Sequence, residues 1–287
     1  MATRRRTIWW LFQRSLILTY EDGCLGIAKG AAYSALFSFF PLLTATTIVL
    51  VQARAESISN FIYRALSHVV PPGTEGLVLE TLRATGARPV SLLVIATLVS
   101  IWAASRVMTS LMDGFEAAYH IPAGRSFLRH QGVAILLVFA AAVPAVAATA
   151  LVISGSRAEQ LVLRWLGVIQ AGEEVRAGVA LVARLGRYAI AIGTNVVVAA
   201  TLYHLGPNRP QKWRLVLPGA WVATLLWLAS TLGFAWYVRN VAQYNLMYGS
   251  VATTIALLVW MYLVAAIALV GCEFNAERER MAVGRLP

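Results

Sequence analysis

Aspartate is nearly missing from this chain: Asp22 and Asp113 are the two in 287 residues. Lysine is as rare, with Lys29 and Lys212. Charged residues together make up 13% of the sequence, against about 25% in an ordinary globular protein. A surface that faces water needs more charge than this, which excludes a soluble globular enzyme. Hydrophobic residues reach 59%, which excludes a disordered chain. Two cysteines, Cys24 and Cys272, in no ligand spacing, exclude a disulfide scaffold and a cysteine-rich zinc site. No GxSxG elbow, HExxH pair or nucleotide-binding P-loop occurs in the sequence, so the chain is not by itself an ATP-driven pump. Two distant aspartates leave little from which to build a two-metal nuclease centre. The four histidines, His68, His120, His130 and His204, fall on four separate segments, and their default place is a surface or interface. No cofactor and no metal are expected.

What remains is a basic, apolar chain with a net charge of +11 and a mean hydropathy of +0.69. A bilayer core takes about 20 apolar residues as a helix, and six segments are long enough: 31–53, 90–112, 132–154, 184–205, 215–238 and 249–272. These runs are too continuous for barrel strands, which alternate apolar and polar residues. The fold expected is therefore all-α, a polytopic membrane protein with six transmembrane helices. Residues 1–30 hold an N-terminal interfacial helix, 31–272 the membrane domain and 273–287 a C-terminal tail. The N-terminal apolar run is too short for a signal peptide, and Gln13 and Arg14 interrupt it. Thr7 to Tyr20 instead suits the headgroup level, with Trp9, Phe12 and Leu16 on one face.

Orientation follows the basic residues. With both termini cytoplasmic, the inside segments carry 13 Lys and Arg and the outside loops carry 8. The loop 206–214 is short and the most basic per residue, with Arg209, Lys212 and Arg214. The positive charge is thus read as topogenic and lipid-attracting, with no nucleic-acid partner. The outside loops are long. Ile58, Phe61, Ile62, Ala65, Leu66 and Val69 follow helical spacing before Pro71-Pro72-Gly73, and a short helix is expected from 74 to about 85. Leu161, Val162, Trp165, Leu166 and Ile169 repeat the device in the loop 155–183. Such helices either rest on the outer leaflet or cover a cavity between the spans.

Ionisable residues in a span are costly and therefore informative. Arg106 lies two turns from the inner end of the second span, and Glu273 lies at the inner end of the sixth. Asp113, Asn275, Tyr33, Ser34 and Ser38 share that depth range. A polar cluster in the cytoplasmic half is expected, with Arg106 paired to Glu273 or Asp113. The alternative is that Arg106 snorkels to phosphates and Glu273 caps the membrane edge. Pro41, Pro144 and Pro218 mark candidate kinks, and Thr194 and Asn195 candidate cavity-wall groups, although such residues also serve as partners between helices.

Three stretches carry a family pattern: Ala31-Ala32-Tyr33-Ser34 through Pro41-Leu42-Leu43; Trp102-Ala103-Ala104-Ser105-Arg106 through Phe115-Glu116-Ala117-Ala118-Tyr119; and Tyr244-Asn245-Leu246-Met247-Tyr248-Gly249-Ser250 with Leu257 to Tyr262 and Gly271-Cys272-Glu273-Phe274-Asn275-Ala276. Pro218-Gly219-Ala220, Thr224 and Trp227 fit between them. Over about residues 10–280 the chain resembles the YihY / virulence factor BrkB family of bacterial inner-membrane proteins, with Cys272 where a leucine is usual. The resemblance implies a multi-pass protein of the bacterial inner (plasma) membrane. A "ribonuclease BN" label attached to that family conflicts with the scarcity of carboxylates here, and no enzyme activity is expected. Three functions are weighed. The first is a transporter or flippase for a lipid-linked, amphiphilic or ionic cargo, with membrane lipids as partners. The second is a non-catalytic envelope or partner-binding protein linked to virulence. The third, ranked last, is a membrane-bound ribonuclease. A laterally open polar cavity favours the first, and a bundle packed tightly on small residues favours the second. The sequence names no substrate, coupling ion or oligomeric state.

Overall fold

The computed structural model describes residues 2–53, 90–122, 124–165, 177–240, 250–282 and 284. Among them are seven helices and no strand: α1 Ala2–Glu21, α2 Cys24–Ala53, α3 Val90–Ala118, α4 Phe127–Trp165, α5 Ala177–Leu205, α6 Trp213–Asn240 and α7 Ser250–Ala282. The helices α2 to α7 are each long and apolar enough to cross a membrane. An all-helical architecture follows from the solvent, because each helix pairs its own backbone groups where no water can. The helices expected at 58–69 and 74–85, residues 166–176 and the motif at 244–249 lie outside the described residues.

Neighbours along the chain pack side by side from α2 through α7, and α7 returns to α2, so the six long helices close into a ring. α7 also touches α3 across it, and α1 lies against α7. The buried core gathers at the end that carries α1. It holds Cys24, Ala28 and Ala31 of α2, Leu111 and Phe115 of α3, Ala200 and Tyr203 of α5, Val216 and Ala220 of α6, and Leu269 and Cys272 of α7. Alanine dominates because backbones must approach closely where lipid supplies no hydrophobic driving force between helices. Away from this core, Phe37, Leu98, Leu136, Phe139, Val197, Leu225 and Trp236 are exposed. In a bilayer that is the favourable place for them.

Two details depart from the sequence reading. α4 runs to Trp165, well past the expected end at 154, so residues 155–165 continue the spanning helix. A lone Gly155 costs a helix only about 1 kcal/mol, too little to stop it before the leucine-rich stretch. At the other end, α7 continues to Ala282, so the first part of the expected tail is helix. α1 also has an inner face: Leu11, Ser15, Leu18 and Thr19 are buried, while Trp9, Trp10, Leu16, Ile17 and Tyr20 are exposed. Ser15 and Thr19 donate to the carbonyls of Leu11 and Ser15 at 2.7 Å, which satisfies their hydroxyls within the helix. Pro41, Pro144 and Pro218 sit inside continuous helices and break none of them.

α1 turns into α2 through Asp22 and Gly23, whose φ of 69° is left-handed and free of cost only for glycine. Gly23→Ala is expected to destabilise by about 1 kcal/mol, read as a lower melting temperature in detergent with no change in lipid binding. α3 ends in a Schellman motif: Ile121 N–H reaches Glu116 O and His120 N–H reaches Ala117 O, both at 2.9 Å, with His120 at φ 51°.

Candidate functional site

α2 and α3 run antiparallel and close. A β-carbon on Gly30 would lie 4.0 Å from Ser110 Oγ. One on Gly114 would lie 3.4 Å from Ile27 and overlap Leu269 of α7. Farther along, the two helices part enough to leave a groove of about 280 Å³, lined by Tyr33, Ser34 and Phe37 of α2 and by Trp102, Ala103 and Arg106 of α3. Tyr33, Phe37, Trp102 and Arg106 are all exposed, so the groove opens sideways from the bundle. The Arg106 guanidinium lies 5.5 Å from the centroid of the Trp102 ring, one turn away on the same face. Such stacking contributes about 0.5–1 kcal/mol at an exposed site and holds the cation without neutralising it.

Of the expected polar cluster, Tyr33 and Ser34 join Arg106 in this groove, and the other members lie elsewhere. Among the described residues Arg106 forms no ion pair with Glu273 or Asp113. Asp113 instead faces His130 of α4 at 3.6 Å. Ser38 turns its hydroxyl to Ala35 O at 2.8 Å. Thr194 donates to Ile190 O within α5 at 2.8 Å, and Asn195 is half-buried beside it. Neither Thr194 nor Asn195 lines the groove, and nor does Pro41, Pro144 or Pro218. Depth is legible from sequence because the rise per residue is fixed. The face on which a side chain emerges decides its partners, and Arg106 and Glu273 point to different places.

Glu273 is fully buried, at the end of the bundle that carries α1. Its carboxyl group meets Asp22 in the α1–α2 turn, with Glu277 and Arg280 following on the same stripe of α7. Asn275, two residues on, is turned about 200° around the helix and belongs to a different contact. Its Nδ2 donates to Val216 O at 2.9 Å, and its Oδ1 accepts from Gly219 N–H at 2.7 Å. These two bonds bracket Pro218, whose ring has removed a donor from α6. α6 and α7 touch backbone to backbone here: a β-carbon on Gly219 would overlap Gly271 O and Asn275, and one on Gly271 would overlap Tyr203 Oη and come within 2.7 Å of Gly219 O. Tyr203 donates to Ala268 O at 2.8 Å and meets Phe115 edge-on at 5.4 Å, which ties α5, α3 and α7 to the same node. The sequence motif Pro218-Gly219 and the motif ending in Asn275 are thus two halves of one joint.

A second set of polar ties surrounds that end. Arg209 in the α5–α6 loop donates from Nη2 to both carboxylate oxygens of Glu279 at 2.5 Å and lies 4.4 Å from the Tyr119 ring centroid. Burial pushes the Tyr119 phenol well above its usual range, so the ring stays neutral beneath the cation. Arg280 donates to Ala118 O at the end of α3 and to Glu277. Arg125 reaches the carbonyls of Leu205, Gly206 and Pro207 and Asn208 Oδ1, at 2.8–3.2 Å, and so caps α5. Burial pulls its guanidinium somewhat below the usual arginine value, but it remains a cation at neutral pH. Arg125→Ala is expected to lower the melting temperature of the purified protein. Arg125→Lys restores only part of the loss, since an ammonium lacks the fork that spans these acceptors. Full rescue by lysine would contradict the capping role. The sequence singles out Arg209 for topology alone, and nothing in it signals the carbonyl partners of Arg125 or the ring and carboxylate partners of Arg209.

Among the described residues no three His, Cys, Asp or Glu side chains gather closely enough to hold a metal ion. The family model described as virulence factor BrkB matches residues 19–287. A protein of Bacillus subtilis named as ribonuclease-like, YfkH, is 27% identical over 254 residues, covering 88% of this chain and 89% of its own. A UPF0761 membrane protein of Vibrio cholerae is 42% identical over 81 residues, 27% of each chain. One from Pseudoalteromonas translucida is 37% identical over 84 residues, 29% of this chain and 28% of its own. The chain thus aligns with little more than a quarter of these two UPF0761 proteins. No solved structure matches. With six spanning helices and a match over nearly its whole length, the chain is an integral membrane protein of the virulence factor BrkB family.

Proposed function

We propose that the groove between α2 and α3 seats the anionic headgroup of a lipid or lipid-linked molecule, and that the protein moves this cargo across the membrane without hydrolysing nucleotide. One observation carries the reading: an exposed guanidinium, stacked on Trp102 and in no ion pair among the described residues, stands in a laterally open groove. Arg106 lies seven residues inward of Asp113, about 10 Å along the helix. A cation at that depth is costly unless an anion meets it. Tyr33 and Ser34 add hydroxyl donors beside it, and the exposed Phe37 and Trp102 offer apolar walls for acyl chains. In this reading the α1 end lies in the cytoplasm of a bacterial cell, which the basic α5–α6 loop supports, and the chain has no catalytic centre.

The test is lipid retention. Native mass spectrometry of protein purified from mixed lipids is expected to show bound anionic lipid in preference to zwitterionic lipid. Arg106→Gln should reduce that preference by about tenfold, the loss of one charge-assisted contact to phosphate. Equal retention of both lipid classes by the unaltered protein would refute the headgroup seat. A second reading, a partner-binding envelope protein that carries no cargo, draws on the tight Gly219–Gly271 joint, because a bundle locked at that end has less freedom to open.

A further inference from the structure

The end of the bundle that carries α1 contains more buried negative charge than its neighbours neutralise. Glu273 has no exposure and neither of its oxygens has a hydrogen-bond partner. Asp22 Oδ2 and Glu277 Oε1 are likewise buried and bare. Yet the carboxyl groups of Glu273 and Asp22 are close enough to interact directly. Two acceptors in that position attract only if a hydrogen lies between them, and two bare carboxylates sharing a site cannot both ionise without a large penalty.

The groups facing this pair come from every element packed around it. Cys24 of α2 turns its thiol toward Gly114 O, 3.9 Å away. His120, just beyond α3, places Nε2 3.9 Å from Asp22 Oδ2. α7 contributes Cys272, Glu277 and Arg280, and Arg280 is already engaged by Glu277 at 3.1 Å and by Ala118 O. The permanent cation is therefore spent on a neighbour. Among the described residues no three of these carboxylates, thiols and imidazoles gather closely enough to hold a metal ion, which favours a proton as the missing positive charge.

We propose that Asp22 and Glu273 hold one exchangeable proton between them, in a buried site at the junction of the α1–α2 turn with α7. The site stands independently of the headgroup groove, whose lining includes neither Asp22 nor Glu273. It joins the α1–α2 turn to α7, so loss of the proton sets two buried carboxylates against each other where α1 docks. By linkage, a proton bound in the folded state and released on unfolding stabilises the fold, and that stabilisation disappears as pH rises through the site's titration.

Infrared difference spectroscopy of the full chain in nanodiscs reads the proton directly. The unaltered protein is expected to show the carbonyl stretch of a protonated carboxylic acid at neutral pH, shifted in heavy water and lost reversibly at alkaline pH. Glu273→Gln, which keeps size and hydrogen-bonding shape, should remove the band, while Glu277→Gln and Glu116→Gln should leave it. The melting temperature of the unaltered protein should fall as pH rises over the same interval, and that of Glu273→Gln should not. No protonated-acid band in the unaltered protein, or a band that survives in Glu273→Gln, overturns the proposal. So does a stability that follows sodium or potassium in place of choline at fixed pH, since the bound cation would then be a metal ion.

Discussion

Gly219→Val will leave the protein unable to assemble a stable bundle. The β-carbon alone overlaps the Gly271 carbonyl, a backbone atom that cannot rotate away, and it also displaces the Asn275 amide. Overpacking a close contact costs about 1–3 kcal/mol or more. Moving Asn275 leaves Gly219 N–H and Val216 O without their partners, at about 1–3 kcal/mol each when buried. The sum is of order 5 kcal/mol, comparable to the whole stability of many folded domains. Monodisperse recovery in mild detergent, followed by a thermal melt, reads the effect. Asn275→Leu should show roughly half of it, because the helices can still touch. Gly193→Ala on α5, where a β-carbon meets open space, should be neutral or mildly stabilising. If valine at 219 melts like the unaltered protein, the joint described between α6 and α7 is wrong.

Arg106→Ala is the second large effect, and it falls on function while leaving the fold intact. The side chain is exposed and carries no described ion pair, so its removal leaves no orphaned partner inside the bundle. Loss of a hydrogen-bonded charge against a phosphate removes about 1.5–3 kcal/mol, or about 10- to 100-fold in binding. Movement of an anionic lipid should fall by a similar factor, while the melting temperature shifts little. Arg106→Lys should recover part of the activity, because an ammonium keeps the charge and loses both the fork and much of the stacking on Trp102. Trp102→Ala should weaken binding less than Arg106→Ala, since it removes the support and leaves the charge. High salt should weaken the interaction only modestly where the groove is shielded by lipid.

How much of this was legible in the sequence depends on what geometry each inference required. The six spans needed only length and composition, because hydrocarbon thickness dictates them. The depth of Arg106 and Glu273 needed only a fixed rise per residue. Their pairing required azimuth, and azimuth is set by which helices pack together. Arg106 points to the α2 groove, Glu273 to the α1–α2 turn and Asn275 to α6. One part of this was available earlier: Glu273, Glu277 and Arg280 recur at i, i+4 and i+7 and so share a face, while Asn275 falls nearly opposite. The inner face of α1 was harder to see, because Ser15 and Thr19 are polar in composition yet buried, their hydroxyls spent on their own helix. Gly219 and Gly271 each fall in a family-pattern stretch, but nothing in the sequence shows that those two stretches meet. Only the paired backbones give those two residues their role.

The most direct measurement is translocation of a labelled anionic lipid by the purified protein in sealed vesicles without nucleotide. The account predicts that the unaltered protein equilibrates the anionic lipid between leaflets faster than empty vesicles do, that a zwitterionic analogue moves more slowly, and that Arg106→Ala returns the anionic lipid to the background rate. Contradiction would be equal rates with and without protein, or an Arg106→Ala variant that is folded and fully active.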